Sequence, residues 1–125
     1  MADLRFPLEE RLKSRTSIGL LFSRTSRSVS ESGLRLVWRP APEPLVRGVQ
    51  VLVAAPKKQF KHAVVRNRVK RLLREAWRME RGTIPDEWLA AQNPKLIGLI
   101  YTGEAEPTLS GLRATLRILL DRSTW

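Results

Sequence analysis

The chain has 125 residues, 42% of them hydrophobic, and carries 23 Lys and Arg against 12 Asp and Glu, for a net charge of +11. That length and apolar content fit a single domain over 1–125 with a real core and exclude wholesale disorder. The positive field favours a polyanionic partner, nucleic acid ahead of anionic membrane, because phosphate contacts release counterions.

Other classes drop out in the same way. No apolar run approaches the roughly 20 residues needed to cross a bilayer, and no signal-peptide pattern opens the chain. There is no Cys and only one His, His62. That leaves no disulfide framework, no thiolate site and no imidazole cluster, and a cytoplasmic protein is the expectation.

Residues 1–13 are polar and expected to be flexible, with Phe6 and Leu12 available to dock. Ser14 and Thr16 are candidate N-caps, and Ile18, Leu21 and Phe22 follow at i, i+3 and i+4, which predicts a short helix. Arg24 to Ser32 is rich in Ser and Arg and reads as either an edge strand or a loop. Leu34, Leu36 and Trp38 alternate with Arg35, Val37 and Arg39, the pattern of a strand exposed on one side. Pro40, Pro42 and Pro44 force a turn or extended link. A second strand runs from Gly48 to Ala55, with Val49, Val51 and Val53 on one face and Leu52 and Ala54 on the other. Pro56 stops it.

The next segment holds most of the information. Between Pro56 and Arg81 stand ten Lys and Arg but only two acids, Glu75 and Glu80. Val65, Val69, Leu72, Leu73, Ala76 and Trp77 recur at spacings of three and four, the signature of one buried helix face. Arg66, Lys70, Arg74 and Arg78 run four apart along another side, with Arg68 and Arg71 beside them. Like charges at that spacing cost a helix a few tenths of a kcal/mol per pair, a cost that a polyanion would remove. Beyond the helix, Gly82 and Pro85 punctuate, and Asp86 to Gln92 reads as a helical turn around Trp88 and Leu89. Leu96 to Tyr101 is a continuous apolar run, expected as a strand covered on both faces. Leu109, Leu112, Leu116, Leu119 and Leu120 predict a last helix behind a Thr108 N-cap, weakened somewhat by Gly111. The order predicts an α+β two-layer sandwich, a small mixed sheet with helices packed on one face.

Arg66-Asn67-Arg68 suits RNA chemically. Guanidinium forks pair bidentately with phosphate oxygens, and the Asn amide can donate to phosphate or accept from a hydrated metal. Lys57, Lys58 and Lys61 just before it extend a basic ledge. The competing reading is a solvated basic face, which the charge density and the missing acids disfavour. His62 reads as a surface hydrogen bond or phosphate contact, Trp77 as core, and Glu75 as a partner of Arg71 or Arg78. The acids are scattered, with no pair placed to bind two metals.

Lys57-Lys58 followed by Phe60-Lys61-His62-Ala63-Val64-Val65-Arg66-Asn67-Arg68-Val69-Lys70-Arg71-Leu72-Leu73-Arg74-Glu75-Ala76 resembles the signature of the bacterial ribonuclease P protein subunit. Arg11-Leu12-Lys13 and Phe22 resemble the family's first-helix region, and Leu96 to Leu120 its last strand and helix. The resemblance implies a fold similar to the second domain of ribosomal protein S5, with a left-handed β-α-β crossover around the basic helix. It implies a large catalytic RNA as partner, which with bound Mg2+ removes the 5′ leader of precursor tRNA. The RNA holds most of the magnesium and performs the chemistry, and no residue of the chain is catalytic or a metal ligand. Membrane and small-molecule substrates are not implied.

Carried over by resemblance, Lys57, Lys58, Lys61, Arg66, Asn67, Arg68, Lys70, Arg71 and Arg74 form the RNA-facing surface. In it Arg66 and Arg68 clamp backbone, and Asn67 sits nearest the phosphate-and-metal region. The family lines a leader cleft with aromatics of the first helix and a central strand. Phe22 matches one, Ile18 stands where another aromatic is expected, and the third place falls to Trp38 or Val37. Stacking a base on an aromatic is worth about 1–3 kcal/mol, so Ile18 departs from the pattern in a way that matters. For Phe22 and Trp38, core packing is the alternative. Two other functional classes stand beside this one: a general RNA-binding or ribosome-associated protein, and a nuclease acting without RNA, against which the scarcity of acids and His speaks.

Overall fold

The computed structural model describes residues 18, 19, 21, 22, 26–41, 49–81 and 95–122. The expectations for residues 1–13, for the caps at Ser14 and Thr16, and for Asp86 to Gln92 lie outside these. In chain order the elements are β1 (Arg27–Glu31), β2 (Leu34–Pro40), β3 (Val49–Ala54), α1 (Ala63–Glu80), β4 (Lys95–Tyr101) and α2 (Leu109–Arg122). The four strands form one sheet in the order β1-β2-β4-β3. Both β1 with β2 and β2 with β4 are antiparallel, whereas β3 and β4 run parallel, with α1 as their crossover. The sheet is therefore mixed, as expected.

Local chemistry explains the turns. Ser32 and Gly33, the two residues between β1 and β2, have φ of 47° and 82°. Two successive positive φ values are the signature of a type I′ hairpin, whose twist matches that of its strands. Arg27–Glu31 is thus an edge strand and not a loop. At the start of α2 the Gly111 N–H donates to Thr108 Oγ1 at 3.1 Å, so Thr108 caps that helix as expected.

Strand alternation sorts side chains onto two faces of the sheet. On the first, Leu34, Leu36 and Trp38 of β2, Val49, Val51 and Val53 of β3, and Ile97, Leu99 and Tyr101 of β4 join Val69, Leu73, Ala76 and Trp77 of α1 and Leu112, Leu116, Leu119 and Leu120 of α2. Both long helices therefore pack on one face. Val65 and Leu72, expected in the buried stripe, lie half-buried at its margin. β4 is buried along its whole length, the expected condition of a strand covered on both sides.

The second face is covered by a smaller cluster of Leu21, Val37, Leu96 and Ile100, with Ile18, Ala41, Leu52 and Ala54 packed against it. Here the predicted short helix contributes one turn, closed by a 3.3 Å bond from Phe22 N–H to Ile18 O. Gly98 lets that turn seat, since a Cβ at this position would lie 3.0 Å from Leu21 Cδ2. A third contact joins the long helices. Glu80, only 1% exposed, accepts from Arg113 Nε at 3.1 Å and from Arg117 Nε at 3.0 Å. A carboxylate removed from water needs such partners.

One assignment is corrected by this packing. Trp38 is 4% exposed and belongs to the core beneath α1 and α2, so it shares no cleft with Ile18 and Phe22. Parity decides the matter: Trp38 points with Leu34 and Leu36, and Val37 points the other way, beside Leu21. Replacing Trp38 with Ala should therefore cost about 3–5 kcal/mol of stability. Phe22, half exposed at 50%, should cost well under half of that when made Ala. Urea unfolding of the two variants checks the difference, and similar costs would contradict the placement.

Candidate nucleic-acid interface

The basic segment starts where β3 ends. Pro56 O accepts from the N–H groups of Gln59 and Phe60 at 3.1 and 3.3 Å, which closes a turn that presents Lys57 and Lys58 to solvent. Phe60 is buried and stacks on Tyr101 with ring centroids 6.0 Å apart and planes at 12°. Tyr101 is itself fixed by donating its hydroxyl to Ala105 O at 2.7 Å. Arg66 then reaches back from the first turn of α1. Its Nη1 donates to Phe60 O and to Lys61 O, both at 2.9 Å. The loop carrying Lys57, Lys58 and Lys61 is thus held at its turn, at its aromatic anchor and at its two last carbonyls.

Helix α1 continues the surface. At 100° per residue, Asn67, Arg71 and Arg74 fall on one crest, and all three are exposed. Arg66 and Lys70, half-buried, form one flank of this crest. Arg68 forms the other and is paired at 2.8 Å with Glu106 of the β4–α2 loop; both side chains are about half exposed. An exposed pair of this kind contributes under about 1 kcal/mol and yields readily to a competing anion. Further along, Glu75 accepts from Arg78, as one of its two expected partners, and that bond holds the Glu75 carboxyl below its ordinary range.

The electrostatics point the same way as the geometry. His62 is the N-cap, extended and exposed, with no side-chain capping bond, and the first turn of α1 holds no acid. The positive end of the helix dipole therefore adds to Lys61 and Arg66 where side chains usually oppose it. Among the described residues, Lys57, Lys58, Lys61, Lys70 and Arg71 make no ion pair. The nine residues expected to face RNA therefore occupy one connected surface, from the β3 exit along the outer side of α1.

The residues expected to face the leader divide. Ile18 and Phe22 lie on the second face of the sheet, Phe22 exposed and Ile18 half-buried, and Trp38 does not join them. Val37 lies on that side but is itself buried, 3% exposed, in the cluster with Leu21. The alternation of β2 carried this signal, but only once the buried side of the strand was known. Among the described residues no three His, Cys, Asp or Glu side chains are grouped to hold a metal ion.

Two substitutions separate charge from scaffold. Arg71→Ala should reduce the slope of log affinity against log salt by about one on a folded RNA while leaving the melting temperature in place. Arg66→Ala should also destabilise the fold, by about 1 kcal/mol, since two loop carbonyls lose a charged donor. Salt titrations with thermal melts check both. An unchanged slope for Arg71→Ala would remove it from the interface.

The family model described as Ribonuclease P matches residues 6–122. A ribonuclease P protein component from Chlorobaculum tepidum is 31% identical over 91% of this chain and 79% of its own length. One from Porphyromonas gingivalis strain W83 is 42% identical over 62% of this chain, which spans 56% of that relative's length. Among solved structures, the RNase P protein from Thermotoga maritima superposes with a TM-score of 0.71 at 22% identity, covering 93% of this chain and 99% of that one. The Staphylococcus aureus RNase P protein gives 0.69 at 22% identity, covering 90% and 93%. At that identity the two structures speak to the fold alone. The family match over residues 6–122 and the Chlorobaculum relative carry the conclusion that this chain belongs to the ribonuclease P protein family.

Proposed function

We propose that the chain is the protein subunit of ribonuclease P. In this reading it binds the catalytic RNA and the 5′ leader of precursor tRNA, and assists the magnesium-dependent endonucleolytic cut that leaves the mature tRNA 5′ end. The observation that carries the reading is the rigidly braced cationic surface from Lys57 to Arg74, in a chain whose family is that of ribonuclease P proteins. Lys57, Lys58, Lys61, Lys70, Arg71 and Arg74 neutralise backbone phosphates of the catalytic RNA. Arg68 exchanges Glu106 for a phosphate, and Arg66 holds the loop while its remaining N–H groups face the RNA. Asn67, on the crest, offers an amide to phosphate or to a hydrated magnesium ion.

Magnesium supplies charge neutralisation and activation of water at the scissile phosphate. In this reading the RNA holds most of the ion. The chain's contribution is to lower the ion concentration needed. Two RNA strands meeting at a cut site repel each other, and fixed cations beside them do part of the screening that dissolved magnesium would otherwise do. On the second sheet face, Phe22 offers a ring to a leader base, with Ile18 and Val37 as apolar neighbours. No helix among the described residues is long and apolar enough to cross a membrane, and a cytoplasmic ribonucleoprotein is the setting the reading requires.

Reconstitution tests it. With a bacterial ribonuclease P RNA at low magnesium, the chain should restore leader removal from precursor tRNA. The chain alone should remove none, and cleavage without RNA would establish an independent nuclease instead. Tight binding to ribosomal RNA, with none to the ribonuclease P RNA, would favour a ribosome-associated role. Within the reconstituted enzyme, Phe22→Ala should weaken precursor binding several-fold more than mature tRNA binding. Equal losses would make Phe22 a packing residue.

A further inference from the structure

Arg35 stands outside the cationic surface on α1, as does Arg39, which alternates onto the same sheet face. Arg35 is exposed on β2, yet it lies on the sheet face opposite α1. Its place is fixed by strand register. Ala54 of β3 pairs with Ile100 of β4, Ile100 pairs with Arg35, and Arg35 pairs with Ser30 of β1. These four side chains form one row across the second face. The row begins at the last residue of β3, immediately before the turn that presents Lys57 and Lys58. Adjacent strands are ~4.8 Å apart, so Arg35 stands about 10 Å from the β3 exit.

The floor of this row is shallow. Ile100 is nearly covered, Ala54 is half-buried, and Ser30 at the far edge is exposed. Phe22, half exposed, follows directly on Leu21, which packs against Val37 one pair along from Arg35 on the same face. Arg35 has no ion-pair partner among the described residues. An exposed guanidinium on the same sheet face as a half-exposed ring, among apolar and hydroxyl-bearing side chains, matches single-stranded nucleic acid, which offers a phosphate and an unstacked base together. A protein ligand for the same place would need a carboxylate, but the net charge of +11 draws nucleic acid first.

We infer that Arg35 binds a leader phosphate, making the second sheet face a cationic path that continues from the Lys57–Lys58 turn across the sheet. The inference rests on the reading of the chain as the ribonuclease P protein and deepens it. With Ile18 and Val37 in place of further rings, this path holds the leader by charge more than by stacking. Its grip should therefore depend on leader length and salt and little on base identity.

The test uses the reconstituted holoenzyme and precursor tRNAs with leaders of increasing length, against mature tRNA. Wild-type holoenzyme active at low magnesium establishes the parent reading independently; inactivity there sinks that reading and not Arg35 in particular. Given activity, Arg35→Ala should weaken binding of long-leader precursor roughly three- to tenfold, and its salt slope should fall by about 0.7, the single-strand value. Mature tRNA, one-nucleotide-leader precursor and the catalytic RNA should bind as before, and Arg35→Lys should recover most of the loss. Equal weakening with and without a leader, or no weakening at any length, overturns the inference, as does a lowered melting temperature that accounts for the loss.

Discussion

The structure depends on one helix being held by its apolar side while its other side repels itself. Along α1 the cations recur at spacings of three and four, and each close pair costs a few tenths of a kcal/mol. The uncapped, acid-free N-terminus beside Lys61 and Arg66 adds a dipole cost of about 0.3–1 kcal/mol. Against this, Val69, Leu73 and Trp77 are buried, and each contributes about 1.5–3 kcal/mol. Burial wins by a margin wide enough that the charges can be left for a partner. A surface helix without that stripe would have to carry its own counter-charges and would have little field to offer.

The acids are placed consistently with this. Glu75 and Glu80 both sit in the second half of α1, and no acid stands between Pro56 and Arg74. Glu80 turns inward to Arg113 and Arg117, joining the helices at the end away from the lysine turn. Glu75 is held by Arg78. Glu106 meets the cationic surface through a half-exposed pair with Arg68. The positive potential is thus concentrated over the β3 exit and the first three turns of α1, where the loop is also most firmly braced.

Local pattern carried the element types well, because each rests on a period that one stretch of chain contains. The stripe of α1, the alternation of β2, the Thr108 cap and the buried run of β4 all belong to that class. What local pattern did not carry was which strand lies beside which, and therefore which side of β2 faces the long helices. Leu34, Leu36 and Trp38 alternate as cleanly whichever face they turn to, so Trp38 and Val37 were indistinguishable as cleft residues until pairing with β4 fixed the layers. The inward turn of Glu80 was illegible for a related reason: its partners lie 33 and 37 residues away. The cationic site was legible because its members are contiguous. The second face was not, because Leu21, Val37, Gly98 and Ile100 come together only through the sheet.

That difference bears on how the two surfaces cooperate in the proposed complex. α1 occupies one layer and the Ile18–Phe22 turn the other, with the sheet between them. A catalytic RNA lying on α1 and a leader lying on the second face would be separated by that layer everywhere except at the sheet's edge. The parallel pairing of β3 with β4 requires the chain to leave β3 at the same end at which Ile100 and Arg35 stand, and to enter α1 from there. The Lys57–Lys58 turn consequently leaves the sheet at the end where Arg35 stands and leads directly into α1. Its bracing by Pro56, Phe60 and Arg66 is then more than local stability. A turn that fixes the position of one RNA relative to the other must not move, since a small displacement there shifts the leader against the site of cleavage.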